Sequence, residues 1–257
     1  EMIQNKKILF LIVIIPTFIF GYTLGSGELP FNDTLKNSYK TLLTENNEKK
    51  YEEIDNKFYE TDVEKLININ NDKDITEKRK KLINYIWKND SKFPTEAEIL
   101  IEKNIDSSEF EKLPNLKRID KHEVIMEYGV NSISYLFLPE KQNGSLFIYH
   151  QGHQGDFSSG YKTIETLLEN EYAVLAFSMP LKGKNNQPII DIENIGVITL
   201  EKHNNFHFLD TKNFSSIKFF MHPIALNINY LEEKFFFENY HMIGLSGGAW
   251  TITLYSA

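Results

Sequence analysis

Along the chain the spacing of apolar residues changes character several times, and each change predicts a different element. After Lys6 and Lys7, residues Ile8 to Leu24 carry no charge and are broken only by Pro16, Thr17 and Gly21. Such a run is a membrane-targeting segment, its length falling between a signal-peptide core and a spanning helix. Thr23, Leu24 and Gly25 place small residues where cleavage is expected, and the paired lysines put the amino terminus on the cytoplasmic side. From Phe31 to about Leu113 the chain is rich in Lys, Glu and Asn, with Leu82, Ile83, Ile86 and Trp87 at helical spacing. This predicts a linker followed by helices packed on the main domain, punctuated by Pro94 and Pro114.

From Val124 the period shortens to that of strands. Val124 to Tyr128 and Ser132 to Leu138, around Gly129-Val130-Asn131, predict a β-hairpin, and Leu146 to His150 predicts a third strand. Ser158 is placed to cap a helix reaching Asn170, with Tyr161, Ile164, Leu167 and Leu168 on one face. Tyr172 to Phe177 is continuously apolar, as in a strand covered on both faces. A long excursion, Met179 to Asn213, leads to a helix whose apolar positions run from Ile217 through Phe220, Ile224 and Ile228 to Leu231, with a kink expected at Pro223. The strand Tyr240 to Ile243 follows. Strands alternating with helices imply an α/β fold with a mainly parallel, doubly wound sheet and right-handed crossovers. The expected division is 1–25 as signal peptide or anchor, 26–115 as linker and helical extension, and 116–257 as the α/β domain.

Composition narrows the function classes. Of the residues, 41% are hydrophobic and 25% charged, which suits a globular protein. A net charge of -8 argues against a nucleic-acid partner, since phosphates need a basic face. The run Lys78-Arg79-Lys80-Lys81 sits in a helical pattern and reads as a solvated face. With no cysteine there are no disulfides, thiolate metal sites or cysteine nucleophiles.

Two stretches carry candidate chemistry. Gly244-Leu245-Ser246-Gly247-Gly248 fits a nucleophile elbow, a sharp strand-to-helix turn that presents a serine hydroxyl above the strand ends. The context fits as well, with a strand before it and a helix-forming stretch, Ala249 to Ala257, after it. The second stretch is His150-Gln151-Gly152-His153-Gln154-Gly155-Asp156 at the end of a strand. In an elbow enzyme one oxyanion donor is the N–H after the nucleophile, here Gly247, and the other comes from the loop after an early strand. Gly152 and His153 are the expected second donors, with Gln151 as a further candidate.

Leu146 to Asp156, Tyr172 to Pro180, Phe219 to Leu231 and His241 to Trp250 together resemble the α/β-hydrolase superfamily. They are most similar to secreted serine esterases of the acetyl-xylan-esterase and dienelactone-hydrolase kind, and to prolyl-oligopeptidase-type domains. The resemblance covers about Val124 to Ala257. It implies acyl transfer, in which Ser246 attacks a carboxylic-ester or amide carbonyl and water hydrolyses the acyl-enzyme. It also implies a small-molecule, saccharide or peptide ester as substrate and no cofactor, while the lysine-flanked apolar run predicts a site outside the cytoplasm, released or held at the membrane by residues 8–24. In this fold the acid and histidine follow the serine, yet the residues after Ser246 include no His, Asp or Glu. A C-terminally incomplete domain is therefore expected, inactive on esters and poorly stable by itself.

Other readings compete with the esterase. A prolyl-oligopeptidase-type serine peptidase would use the same elbow, and a binding module on the same scaffold would need no triad. Metal hydrolysis would draw on His150, His153 and Asp156, or on His203, His207 and Asp210, but Asn204 stands where a zinc-protease helix needs glutamate. No metal is expected.

Overall fold

The computed structural model describes residues 56–88, 92–96 and 98–257. The apolar run 8–24 lies outside them, and among the described residues no helix is long and apolar enough to cross a membrane. The chain divides into two units, Glu1–Ile67 and Asn68–Ala257. In the first, Asn56–Tyr59 forms one helical turn and Val63–Leu66 a 3-10 turn.

The second unit opens with helix α1, Asp72–Trp87, whose N-terminal N–H groups at Lys73 and Asp74 donate to the Asn71 side chain. A mixed six-stranded sheet follows, formed by β1 (Leu100–Glu102), β2 (Leu116–Ile125), β3 (Asn131–Pro139), β4 (Ser145–His150), β5 (Ala173–Phe177) and β8 (Asn239–Gly244), in the order β1-β2-β3-β5-β4-β8. The remaining strands, β6 (Ile189–Ile192) and β7 (Gly196–Thr199), make a separate hairpin. Helices α2 (Tyr161–Glu169), α3 (Lys218–Lys234) and α4 (Gly247–Ser256) complete the unit.

Only β4 pairs in parallel, with β5 and with β8, while β1-β2, β2-β3 and β3-β5 are antiparallel. The expectation of a mainly parallel sheet is thus corrected. Crossover helices begin only after β4, and the hairpin before it joins the sheet antiparallel. The hairpin itself starts earlier than its sequence suggests, at Leu116 instead of Val124, because charged residues such as Lys117, Arg118 and Lys121 mask the alternation. The stretch read as helical also supplies β1. Before α2, the side chain of Asp156, not Ser158, does the capping, accepting from the Ser158 N–H at 2.9 Å.

Strand alternation sorts the core onto two faces. On one, Val174 and Ala176 of β5 and Phe137 of β3 pack with Ile164 and Leu168 of α2. On the other, Leu175 and Phe177 of β5 and Leu146 and Ile148 of β4 meet Ile224 and Leu231 of α3. A third cluster gathers Ile86 and Trp87 of α1 with Leu181, Leu200 and Phe206 of the excursion and Phe219 and Met221 of α3. A buried polar link ties β2 to α3, in which the His122 imidazole meets Asn227 Oδ1 at 2.6 Å and Asn227 Nδ2 donates to the Pro223 carbonyl at 2.8 Å. Burial holds His122 below its ordinary pKa, and its Nε2 has no partner among the described residues.

The sorting predicts a sharp contrast between two apolar truncations. Leu175 is 0% exposed at the centre of the sheet, and Leu175→Ala should destabilise by about 2–5 kcal/mol in urea unfolding. Ile189 of β6 is 71% exposed, and Ile189→Ala should leave the urea midpoint nearly unchanged.

Candidate active site

The parallel strands end side by side, with His150 of β4 registered against Phe177 of β5 and Gly244 of β8. The loops leaving them meet at the carboxyl edge of the sheet, where α/β proteins place their ligand sites. β8 runs straight into the elbow. Ser246 adopts φ 51° and ψ -119°, a conformation disfavoured for any residue with a Cβ, and α4 starts at the next residue. The turn is secured by the Leu245 N–H donating to the His150 carbonyl at 3.1 Å and the Gly248 N–H to the Leu245 carbonyl at 2.9 Å. Gly248 tolerates no side chain, since a Cβ there would collide with the His150 carbonyl oxygen and stand 2.6 Å from that of Gln151.

The two stretches singled out in the sequence meet face to face. A Cβ on Gly152 would lie 2.7 Å from the Leu245 carbonyl oxygen and 3.0 Å from Ser246 Cβ. A Cβ on Gly247 would run into the His153 ring at Nδ1 and Cε1. Ser246 thus lies over Gly152, and His153 over Gly247. Ser246 and His153 are exposed, whereas Gly152, Gly247 and Gly248 are buried. At the first turn of α4 the Gly247 N–H has no intrahelical acceptor and points out of the helix start.

The remaining histidines have other occupations. His150 is fully buried, stacks on Phe177 at 5.9 Å, and its Nδ1–H donates to the Gln151 carbonyl at 2.9 Å. Burial pulls its pKa down to about 4, so the ring is neutral. His203 donates through Nε2 to the Pro180 carbonyl at 2.7 Å, and burial lowers its pKa too. His207 is exposed and its Nδ1 bonds the Asn204 carbonyl. Asp156 and Asp210 accept from the Ser158 and Ser216 backbone N–H groups, respectively. Neither metal triplet of the sequence gathers, and among the described residues no three His, Cys, Asp or Glu form a group able to hold a metal. Sequence reasoning missed that His153 and His203, taken from different triplets, come together edge to face at 4.9 Å. Only the folding of the excursion against the early loop creates that pair.

No family model and no curated protein sequence matches this chain. The chain is similar to parts of several solved esterases. A putative acetyl xylan esterase from Bacteroides fragilis is 12% identical, with 70% of this chain and 48% of that one covered and a TM-score of 0.49. Acetyl xylan esterase 1 from a Thermoanaerobacterium species is 13% identical, covering 71% and 54%, with a TM-score of 0.47. An esterase from Pyrococcus furiosus is 16% identical, covering 58% and 50%, with a TM-score of 0.38. The chain spans about half the length of each of these structures.

The buried histidines set a pH dependence. His150 binds a proton near pH 6.5 when unfolded and only near 4 when folded, and His122 shifts in the same direction. Stability is therefore full above about pH 6.5 and is lost as the pH falls toward about 4, with His150 contributing about 3 kcal/mol of the loss. Urea unfolding should show a lower midpoint at about pH 4.5 than at about pH 7.5, and His150→Phe should shrink that difference; an unchanged difference in the variant would show that His150 takes up its proton equally in the folded and unfolded chain.

Proposed function

We propose that the protein is a serine hydrolase acting on carboxylic esters, with Ser246 as its nucleophile. The observation that carries the reading is the backbone at Ser246, a left-handed residue held between strand β8 and helix α4 by contacts that only glycine at 248 permits. A strained residue kept at the carboxyl edge of a sheet is a functional signature, because relaxing it would remove about 1–3 kcal/mol of strain. In the reaction Ser246 Oγ bonds to the ester carbonyl carbon, and the carbonyl oxygen becomes an oxyanion. The Gly247 N–H receives it, reinforced by the positive end of α4, together with an N–H of the facing Gly152–His153 loop. Collapse expels the alcohol and leaves an acyl-enzyme for water to hydrolyse. A general base takes the Ser246 proton as Oγ attacks and returns it to the departing alcohol, and residues 247–257 supply no imidazole for that role. No cofactor enters this chemistry. Gly244 and Leu245 complete the elbow, and an ester is the substrate class that the family resemblance implies.

The full-length gene product should be labelled by an active-site phosphonate, and Ser246→Ala should abolish the label. Undiminished labelling of the alanine variant removes Ser246 from the chemistry.

The apolar run 8–24, with Lys6 and Lys7 before it, supports a working domain outside the cytoplasm, released or tethered. A reporter enzyme active only after export, fused behind Phe31, should be active. A fusion made in normal amounts yet silent would overturn this assignment.

A further inference from the structure

The loop that faces Ser246 is tied together by one buried side chain. The N–H of Gln151 donates to the Phe177 carbonyl at 2.9 Å, which removes Gln151 from the candidate oxyanion donors. Its side chain spans the loop instead. Oε1 accepts from the Tyr149 hydroxyl at 2.5 Å, and Nε2 donates to the Gln154 carbonyl at 3.3 Å. Tyr149 is a firm anchor for this bridge. It is buried in β4, and a Cβ on Gly160 would collide with its hydroxyl and ring. Burial also raises its pKa, which keeps the phenol a donor. Between Gln151 and Gln154 lie Gly152 and His153, whose N–H groups meet no backbone acceptor among the described residues.

We propose that Gln151 is a positioning residue for the acyl transfer, its amide tying the turn 152–154 to Tyr149 and so aiming the Gly152 and His153 N–H groups at the oxyanion. The inference rests on the reading of Ser246 as nucleophile. Contact with Leu245 and Ser246 fixes how near Gly152 stands to the elbow, but a glycine in contact can still turn its peptide planes. The bond to the Gln154 carbonyl restrains that motion by holding the far end of the turn. An oxyanion donor acts only when it points to where the charge forms, so restraint of the peptide plane is restraint of the donor. An amide supplies both the acceptor that the phenol needs and the donor that the carbonyl needs, and it buries no charge in doing so.

The full-length gene product, assayed with para-nitrophenyl acetate, tests this. Gln151→Ala should lower kcat by roughly ten- to hundred-fold and leave KM within about two-fold, because the misdirected donor is missed only where the oxyanion forms. Ser246 should still be labelled by the phosphonate. Tyr149→Phe should lower kcat as well, and should add little in the Gln151→Ala background, since both act through one bridge. Gln151→Glu supplies a readout that a merely structural role would not move. The protonated acid can accept from Tyr149 and donate to Gln154 as the amide does, whereas the carboxylate cannot donate. Burial brings such a carboxyl into the range of about pH 6–8. His150, whose ring bonds the Gln151 carbonyl, stays neutral there. The kcat of Gln151→Glu relative to the unaltered protein should therefore rise roughly ten-fold as the pH falls from about 8 to about 6. Should Gln151→Ala not fold, that ratio decides alone. An unchanged kcat in Gln151→Ala, a KM that rises as steeply as kcat falls, or a Gln151→Glu ratio flat across the range would overturn the positioning role while leaving Ser246 as nucleophile. Absence of both turnover and Ser246 labelling in the unaltered protein would instead remove the nucleophile itself.

Discussion

Because β4 is bonded in register to β5 on one side and to β8 on the other, the strand ends at His150, Phe177 and Gly244 cannot slide past one another. A slip of one residue would turn Leu146 and Ile148 away from α3. The hydrophobic sorting of the sheet thus fixes where the loops emerge. The elbow then locks onto this frame through the His150 carbonyl, which accepts from Leu245 N–H and lies against Gly248. A carbonyl at the end of one strand supports the turn at the end of its neighbour.

The electrostatics around this frame are quiet. His150 is buried and His203 half-buried, burial lowers the pKa of both, and their rings donate to the Gln151 and Pro180 carbonyls. They act as hydrogen-bonding struts, and charging the buried His150 would leave a cation away from water. The positive potential available at Ser246 comes from the start of α4, a dipole fixed by the backbone and independent of pH.

Much of this was legible in the sequence, for identifiable reasons. The apolar periods of α2, α3, β4 and β5 are strong because each packs on a core face, and period reports burial directly. The elbow was legible because its steric demand falls on consecutive residues. Hidden were β1 and the first half of β2, whose charged side chains point to solvent or into ion pairs such as Arg118 with Asp120 at 3.1 Å. Hidden too was the pairing of His153 with His203, fifty residues apart, since contacts between loops leave no period. The antiparallel join of β3 to β5 is likewise a matter of sheet order, which alternating strands and helices do not encode.

The meeting of the two glycine-rich stretches explains how loops can supply a site with fixed dimensions. Loops are ordinarily the mobile part of a fold, and donors carried on them would have to be ordered anew at each reaction. Here the order is already present. Gly152 is pressed on Leu245 and Ser246, where a methyl group would meet the Leu245 carbonyl oxygen and push the two stretches apart, and the His153 ring lies against Gly247. Their separation is therefore set by contact between atoms and not by loop length.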